Sequence, residues 1–245
     1  MDLGRPHRHF RRTDSTNERA KELAKAGAPG GLVVTAAEQT AGRGRRGTDW
    51  FAPTGSCLLY SALLRPLALE RARLLPLAVP IAVCEAAEAV APVRCQVKWP
   101  NDVWIEERKV AGVLAEARPD QGWAVIGVGL NVAIAQDDFP EELRQTAASL
   151  LPTEAEGGLP AGGAPSVAAA FTELNEALGR WTEASADEVL DAYRARDALC
   201  GRRVSWDGGQ GIAEEIDERG HLVVETGGGE RVALGAGEVH LAMDH

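Results

Sequence analysis

Ala41–Trp50, AGRGRRGTDW, is the stretch on which the fold turns, read with what flanks it. Three glycines and three arginines fill 42–47, and no helical or strand period runs through them. Before it stands GLVVTAAEQT (31–40) and after it SCLLYSALL (56–64), both apolar runs of strand type. A dinucleotide-binding turn opens a helix, so strand–loop–strand fits that motif badly. Glycines let backbone N–H groups close on an anion, and arginines bring bidentate donors for phosphate or carboxylate. The same composition also suits a solvated surface turn or an RNA-binding loop.

Working outward, DSTNERAKELAKAGAPG (14–30) reads as a helix, with Ser15 and Glu18 spaced as a capping box and Gly27 as its stop. There the unpaired N–H groups of Ser15–Asn17 favour a polar or anionic ligand. The apolar segment 70–91 reads as a buried helix despite Pro76 and Pro80, and it is too short to span a bilayer. VRCQVKWPND (93–102) alternates, which puts Lys98 on the face opposite Val93, Cys95 and Val97, and Pro100 ends the strand. VWI, EERK and VAGVLAEAR (103–118) form a hairpin pattern. In WAVIGVGLNVAI (123–134), Gly127, Gly129 and Asn131 share one face, a poor core face that suits close approach by a ligand or a backbone. Residues 152–165 read as a Pro/Gly-rich loop or disordered insertion, followed by helices over about 166–182 and 187–199. From Gly201 the pattern becomes short strands and turns, a module too small to be stable alone.

The 245 residues, 45% hydrophobic and 25% charged, suffice for a large core, with room for a second small domain. A net charge of −10 does not favour DNA or an anionic membrane, so the positive loop needs a local reason. Cys57, Cys84, Cys95 and Cys200 lie among apolar neighbours without C-x-x-C spacing and read as buried free thiols of a reducing cytoplasm. The N-terminal arginines precede no apolar run, so they do not make a secretory signal.

Taken in order, S-T-N at 15–17, E-Q-T-x-G-R-G-R-R-G at 38–47, K-W-P-N-D at 98–102, R-K-V-A-G-V-L at 108–114 and G-V-G-L-N-V at 127–132 closely resemble the biotin–protein ligases. The resemblance implies an α+β fold: a mixed, mainly antiparallel sheet flanked by helices, like the class II synthetases, over 1–199, and an SH3-like β-barrel over 200–245. It implies ATP-dependent conversion of biotin to biotinyl-5′-AMP, with Mg2+, and transfer of the biotinoyl group to a lysine of a biotin carboxyl carrier domain of a carboxylase.

By the same resemblance, Ser15, Thr16, Asn17 and Gln39 hold the ureido ring, while Arg43, Gly44 and Arg45 cradle carboxylate and phosphate. Lys98 bridges the two anions, and Lys98 and Arg45 are the catalytic pair. Gly112, Gly127 and Gly129 line the biotin slot, Asn131 meets the nucleotide, and Trp50 lies on the adenine side. No resident metal, membrane or DNA is expected, and the chain is read as a monomer or weak homodimer. Only residues 1–14 precede the first motif, which points to the short type without the winged-helix DNA-binding domain.

Two positions depart from the family pattern: Thr48 follows Gly47 where an arginine is common, and Ala242 follows Leu241 where an arginine can reach ATP. A lipoate– or octanoate–protein ligase would carry a different glycine-rich motif with a histidine, absent here. A non-catalytic adenylate- or RNA-binding module fits poorly with the acidic charge and with Lys98 in place.

Overall fold

The computed structural model describes residues 2–152, 163–235 and 237–242. Most of the 152–165 segment therefore lies outside the described residues. Seven strands form the main sheet in the order β1 (His7–Phe10), β2 (Val33–Ala36), β3 (Cys57–Leu64), β7 (Trp123–Asn131), β6 (Arg108–Arg118), β5 (Asp102–Ile105) and β4 (Gln96–Lys98). The β1–β2 pair is parallel and the other five pairs are antiparallel, so the sheet is mixed and mainly antiparallel.

Strand β7 shows how the alternating sequence divides the molecule. Ala124, Ile126, Val128 and Leu130 join the main core, which takes in helix α2 (Leu69–Val90) and helix α3 (Val167–Trp181). Burying each larger side chain contributes about 1.5–3 kcal/mol. The other face is covered in two pieces. Helix α1 (Thr16–Lys25) sets Ala20 and Ala24 against Trp123, Val125 and Leu63 at one end. Phe139, Ala147 and the partly buried Phe51 pack on Cys57 and Leu59 at the other. Between them lie Gly127 and Gly129, whose lack of side chains leaves a gap in the cover.

Helix α2 keeps Pro76 and Pro80 inside it, each of which removes a helical hydrogen bond. Burial of Leu75, Leu77 and Ala78 through Cys84 outweighs that loss. After α4 (Ala186–Arg194), strands β8 (Arg203–Trp206), β9 (Gly209–Ile216), β10 (Leu222–Thr226), β11 (Arg231–Leu234) and β12 (Val239–Leu241) form an antiparallel sheet in the order β11-β10-β9-β8-β12. Its Val204, Ala213, Ile216, Leu222 and Val224 belong to the same core as α2 and the main sheet.

Several local expectations need correction. Ser15 is the N-cap of α1 but its side chain accepts no capping bond; its N–H donates instead to Asp14 Oδ1 at 2.7 Å, and Glu18 pairs with Lys21 at 2.7 Å. A full capping box exists at Ser185–Glu188 instead, starting α4. That helix stops at Arg194, short of 199, because the following backbone docks on β4 through Val97 N–H to Arg196 O (2.7 Å) and Ala198 N–H to Val97 O (2.9 Å). Strand 93–102 shrinks to Gln96–Lys98. Cys57, Cys84 and Cys95 are buried free thiols, but Cys200 is exposed. No helix of the described residues is long and apolar enough to cross a membrane.

Candidate active site

The ladders fix the site as a row across five strands. Lys98 opposes Asp102, Asp102 opposes Gly112, Gly112 opposes Gly129, and Gly129 opposes Leu59. This floor runs from a cation at the sheet edge, across two glycines, toward the N-terminus of α1. Over it lies a cavity of about 170 Å³. Ser15, Thr16, Asn17, Gln39, Arg43, Gly44, Arg45, Trp50, Lys98, Gly112, Gly127 and Gly129 all line it, so residues from five separate segments meet around one cavity. Asn131 does not line it: it is buried under the other cover, with Nδ2 donating to Ala148 O at 2.9 Å.

At the α1 end, residues 38–41 are hydrogen-bonded to 13–14, through Thr40 N–H to Thr13 O (2.9 Å) and Ala41 N–H to Asp14 O (2.9 Å). That brings Gln39 Oε1 within 2.7 Å of the Thr16 N–H and 3.0 Å of its hydroxyl. Ser61 Oγ sits 2.6 Å from Asn17 Oδ1 and 2.8 Å from Thr16 Oγ1. Asn17 also donates to Glu116 Oε2 at 2.9 Å. A Cβ at Gly127 would fall 2.2 Å from Asn17 Oδ1, so Gly127 makes room for the asparagine rather than directly for a ligand.

The Trp50 ring lies on Gly129: a Cβ there would fall 2.6 Å from its Cε2. Trp50 Nε1 is buried without a hydrogen-bond partner. The arginine loop is folded into a turn, with Gly44 N–H to Thr48 O at 2.7 Å and the Thr48 hydroxyl donating to Arg45 O at 3.0 Å. Thr48 therefore closes the turn where the family pattern often has a cation. Arg45 Nη1 donates to Asn101 Oδ1 at 3.1 Å, and Asn101 Nδ2 donates to Val113 O at 2.8 Å, which anchors the loop to the K-W-P-N-D turn.

The Lys98 ammonium lies 5.3 Å from the centre of the Trp104 ring. Burial lowers its pKa, with Lys109 adding to that effect and Asp102 and Glu238 opposing it. Neither Lys98 nor Arg43 has an ion-pair partner among the described residues. The Ser15 hydroxyl and Gln39 Nε2 also lack hydrogen-bond partners there. A cavity whose open donors include two cations is built to receive acceptor groups, with negative charge at the Lys98 end.

Sequence reasoning missed Asp102, Lys109 and Glu238, which also line the cavity. Glu238 comes from the C-terminal sheet and approaches Arg46 at 3.8 Å, so that sheet reaches the site without an arginine at 242. Lys109 lay within a quoted motif, but a strand irregularity that spacing does not reveal turns it inward.

A cation-rich site at one end of a glycine floor, on this mixed sheet, suits two anionic groups brought side by side. The chain belongs to the biotin/lipoate A/B protein ligase family, whose profile matches residues 9–132. The biotin--[acetyl-CoA-carboxylase] ligase of Mycobacterium tuberculosis is 37% identical over 239 residues, covering 93% of this chain and 85% of that protein. The bifunctional ligase/repressor BirA of Bacillus spizizenii is 40% identical over 140 residues, which is 56% of this chain and 43% of that protein; the chain thus matches less than half of that relative's length. Biotin protein ligase from Aquifex aeolicus in complex with biotin and ATP is structurally similar with a TM-score of 0.79 at 26% identity, covering 96% of this chain and 99% of that one.

Proposed function

We propose that this chain activates biotin with ATP to biotinyl-5′-AMP and transfers the biotinoyl group to a lysine of a carrier domain. The observation that carries the reading is Lys98: a half-buried side chain without an ion pair among the described residues, at the end of the Gly112–Gly129 row against which the Trp50 ring lies. The names of the Mycobacterium and Aquifex relatives support biotin as the acid, and the former supports a carboxylase carrier as acceptor.

Ser15, Thr16 and Gln39 offer donors and acceptors to the ureido ring, and the valeryl tail runs beside Trp50 toward Lys98. The carboxylate meets Lys98, which also faces the α-phosphate. A carboxylate oxygen attacks that phosphorus, the bond to the β-phosphate breaks, and pyrophosphate leaves. Lys98, Arg43 and Arg45 offset the negative charge that two approaching anions concentrate. The acceptor amine then attacks the acyl carbon, AMP leaves, and the amine's proton passes to solvent. The turn from Gly42 to Trp50 shields the mixed anhydride from water in the meantime.

Mg2+ enters with the nucleotide: no group of three acidic, histidine or cysteine ligands exists among the described residues, which fits an ion held mainly by phosphate oxygens. Asn131 lies outside the cavity and is given no nucleotide contact in this reading. The five antiparallel strands of residues 203–241 support an SH3-like module following a catalytic domain over 1–199, and the free thiols support a cytoplasmic setting.

The test is pyrophosphate release by the purified chain with ATP and biotin, lipoate or octanoate. Biotin alone should drive it, and Lys98→Ala should abolish it while the fold persists. Release driven equally by lipoate, or undiminished in Lys98→Ala, would refute the reading.

A further inference from the structure

Asn17 lines the cavity, yet both ends of its amide are already used. Asn17 and Lys21 stand one turn apart on α1 and so share a face of that helix. Gly112, Leu114 and Glu116 share a face of β6 by the period of two, and the ladder sets them opposite Gly129, Gly127 and Val125. The face that floors the cavity thus continues beneath α1 to Glu116, which is not one of the residues lining the cavity. There the carboxylate meets Lys21 Nζ at 2.8 Å through Oε1 and Asn17 Nδ2 at 2.9 Å through Oε2.

A carboxylate only accepts hydrogen bonds, so the group facing it must be the NH2 of Asn17. The amide oxygen is then turned to the fully buried Ser61 hydroxyl, 2.6 Å away. That oxygen carries no proton, so Ser61 gives its single one. The 2.8 Å contact between the Ser61 and Thr16 hydroxyls consequently draws on the Thr16 proton, as does Gln39 Oε1 at 3.0 Å. Thr16 Oγ1 is left with lone pairs to offer the cavity. We propose that Glu116 is a positioning residue for biotin: through Asn17 and Ser61 it fixes the order of protons at the α1 end, so that Thr16 meets a ring N–H as an acceptor. The inference rests on the reading of the site given above.

Glu116→Gln should reverse this order. Lys21 is a cation and keeps the glutamine oxygen, which leaves the glutamine NH2 against Asn17. Asn17 then turns its own oxygen to that NH2 and its NH2 to Ser61. Ser61 accepts from Asn17 and hands its proton to Thr16, which fills the lone pair that the ligand would use. Asn17→Asp alone sets two carboxylates face to face. Asn17→Asp added to Glu116→Gln restores the native order, because the new carboxylate accepts from the glutamine NH2 with one oxygen and from Ser61 with the other. The number of charges at the site is then also the native one.

The experiment measures biotin affinity by calorimetry, and KM and kcat for biotin-dependent pyrophosphate release, in the native chain, Glu116→Gln, Asn17→Asp and the double variant, each checked for its unfolding temperature. Glu116→Gln should raise Kd and KM for biotin about tenfold, the scale of one hydrogen bond, and change kcat less than about twofold. Asn17→Asp should bind biotin more weakly still, and the double variant should return to within about threefold of the native chain, whereas independent effects would add. Should a variant at position 17 fail to fold, Ser61→Ala carries the test: with the chain cut there, adding Glu116→Gln should cost less than about threefold in Kd. Native-like Kd in folded Glu116→Gln, a loss in kcat rather than KM, or losses that simply add in either cycle overturn the proposal. A native chain that neither binds biotin nor releases pyrophosphate with it would instead count against the functional reading itself.

Discussion

Burial governs the chemistry of Lys98. Removing its ammonium from water lowers its pKa, Lys109 pushes the same way, and Asp102 and Glu238 only partly oppose them. The folded pKa thus lies below that of the unfolded chain. Between those two values the unfolded chain binds more protons, so this residue's contribution to stability rises as pH climbs through that window. The charged form is thus disfavoured in the folded chain relative to the unfolded one. Lys98→Met should therefore be at least as stable as the native chain in a thermal melt at pH 7, while pyrophosphate release falls about 10²–10³-fold, the scale for losing one preorganised donor. In the native enzyme, the alkaline limb of kcat should begin below the ordinary lysine range and move to higher pH in Lys98→Arg. The glycines carry a separate expectation. Gly127→Ala would drive a Cβ to 2.2 Å from Asn17 Oδ1, an overpacking cost of about 1–3 kcal/mol. Calorimetry should show weakened biotin binding, because Asn17 is displaced together with its neighbour Thr16.

The turn over residues 42–50 is the element that answers why an acidic chain concentrates arginines. Its own hydrogen bonds and Arg45–Asn101 shape it, but Arg46 reaches Glu238 only at 3.8 Å, with both side chains more than half exposed. Such a surface pair contributes about 0–1 kcal/mol. Trypsin should cut at Arg45 and Arg46 in the empty protein and cut there much more slowly once biotin and ATP are bound; equal rates would show that the turn does not close on them. Most elements were legible because their apolar spacing is regular: α1, α3, β3 and β7 appear within a few residues of where the alternation and helical period put them. What spacing could not show were events that break the period. A bulge at Val110 reverses the face of Lys109, β1 joins the sheet edge with the polar sequence His-Arg-His-Phe, and Ser15 leaves its cap to Asp14. Asn131 shares a face with Gly127 and Gly129, but the second cover over that face, from residues 139–150, hides it from the cavity.

At the scale of the whole molecule, the site exists because one sheet face is covered from both ends and left open in the middle, and because the C-terminal sheet is locked to the same core. Trp99, next to Lys98, donates from Nε1 to Gly220 O at 3.0 Å, and Leu77 of α2 packs beneath the same turn. The two sheets should unfold in one transition, and Trp99→Phe should lower stability by about 1 kcal/mol through that lost bond, with one shared midpoint. Two separated transitions in a calorimetric scan would contradict the shared core. The central claim is chemical: the site at Lys98 joins a carboxylate oxygen of biotin to the α-phosphorus of ATP. It is tested most directly by supplying biotin with heavy oxygen in its carboxylate, together with ATP and a carrier domain, and weighing the products by mass spectrometry. The account predicts that AMP leaves each turnover carrying one heavy oxygen, the other remaining in the biotinyl amide. Unlabelled AMP, or heavy oxygen in inorganic phosphate instead, would contradict it.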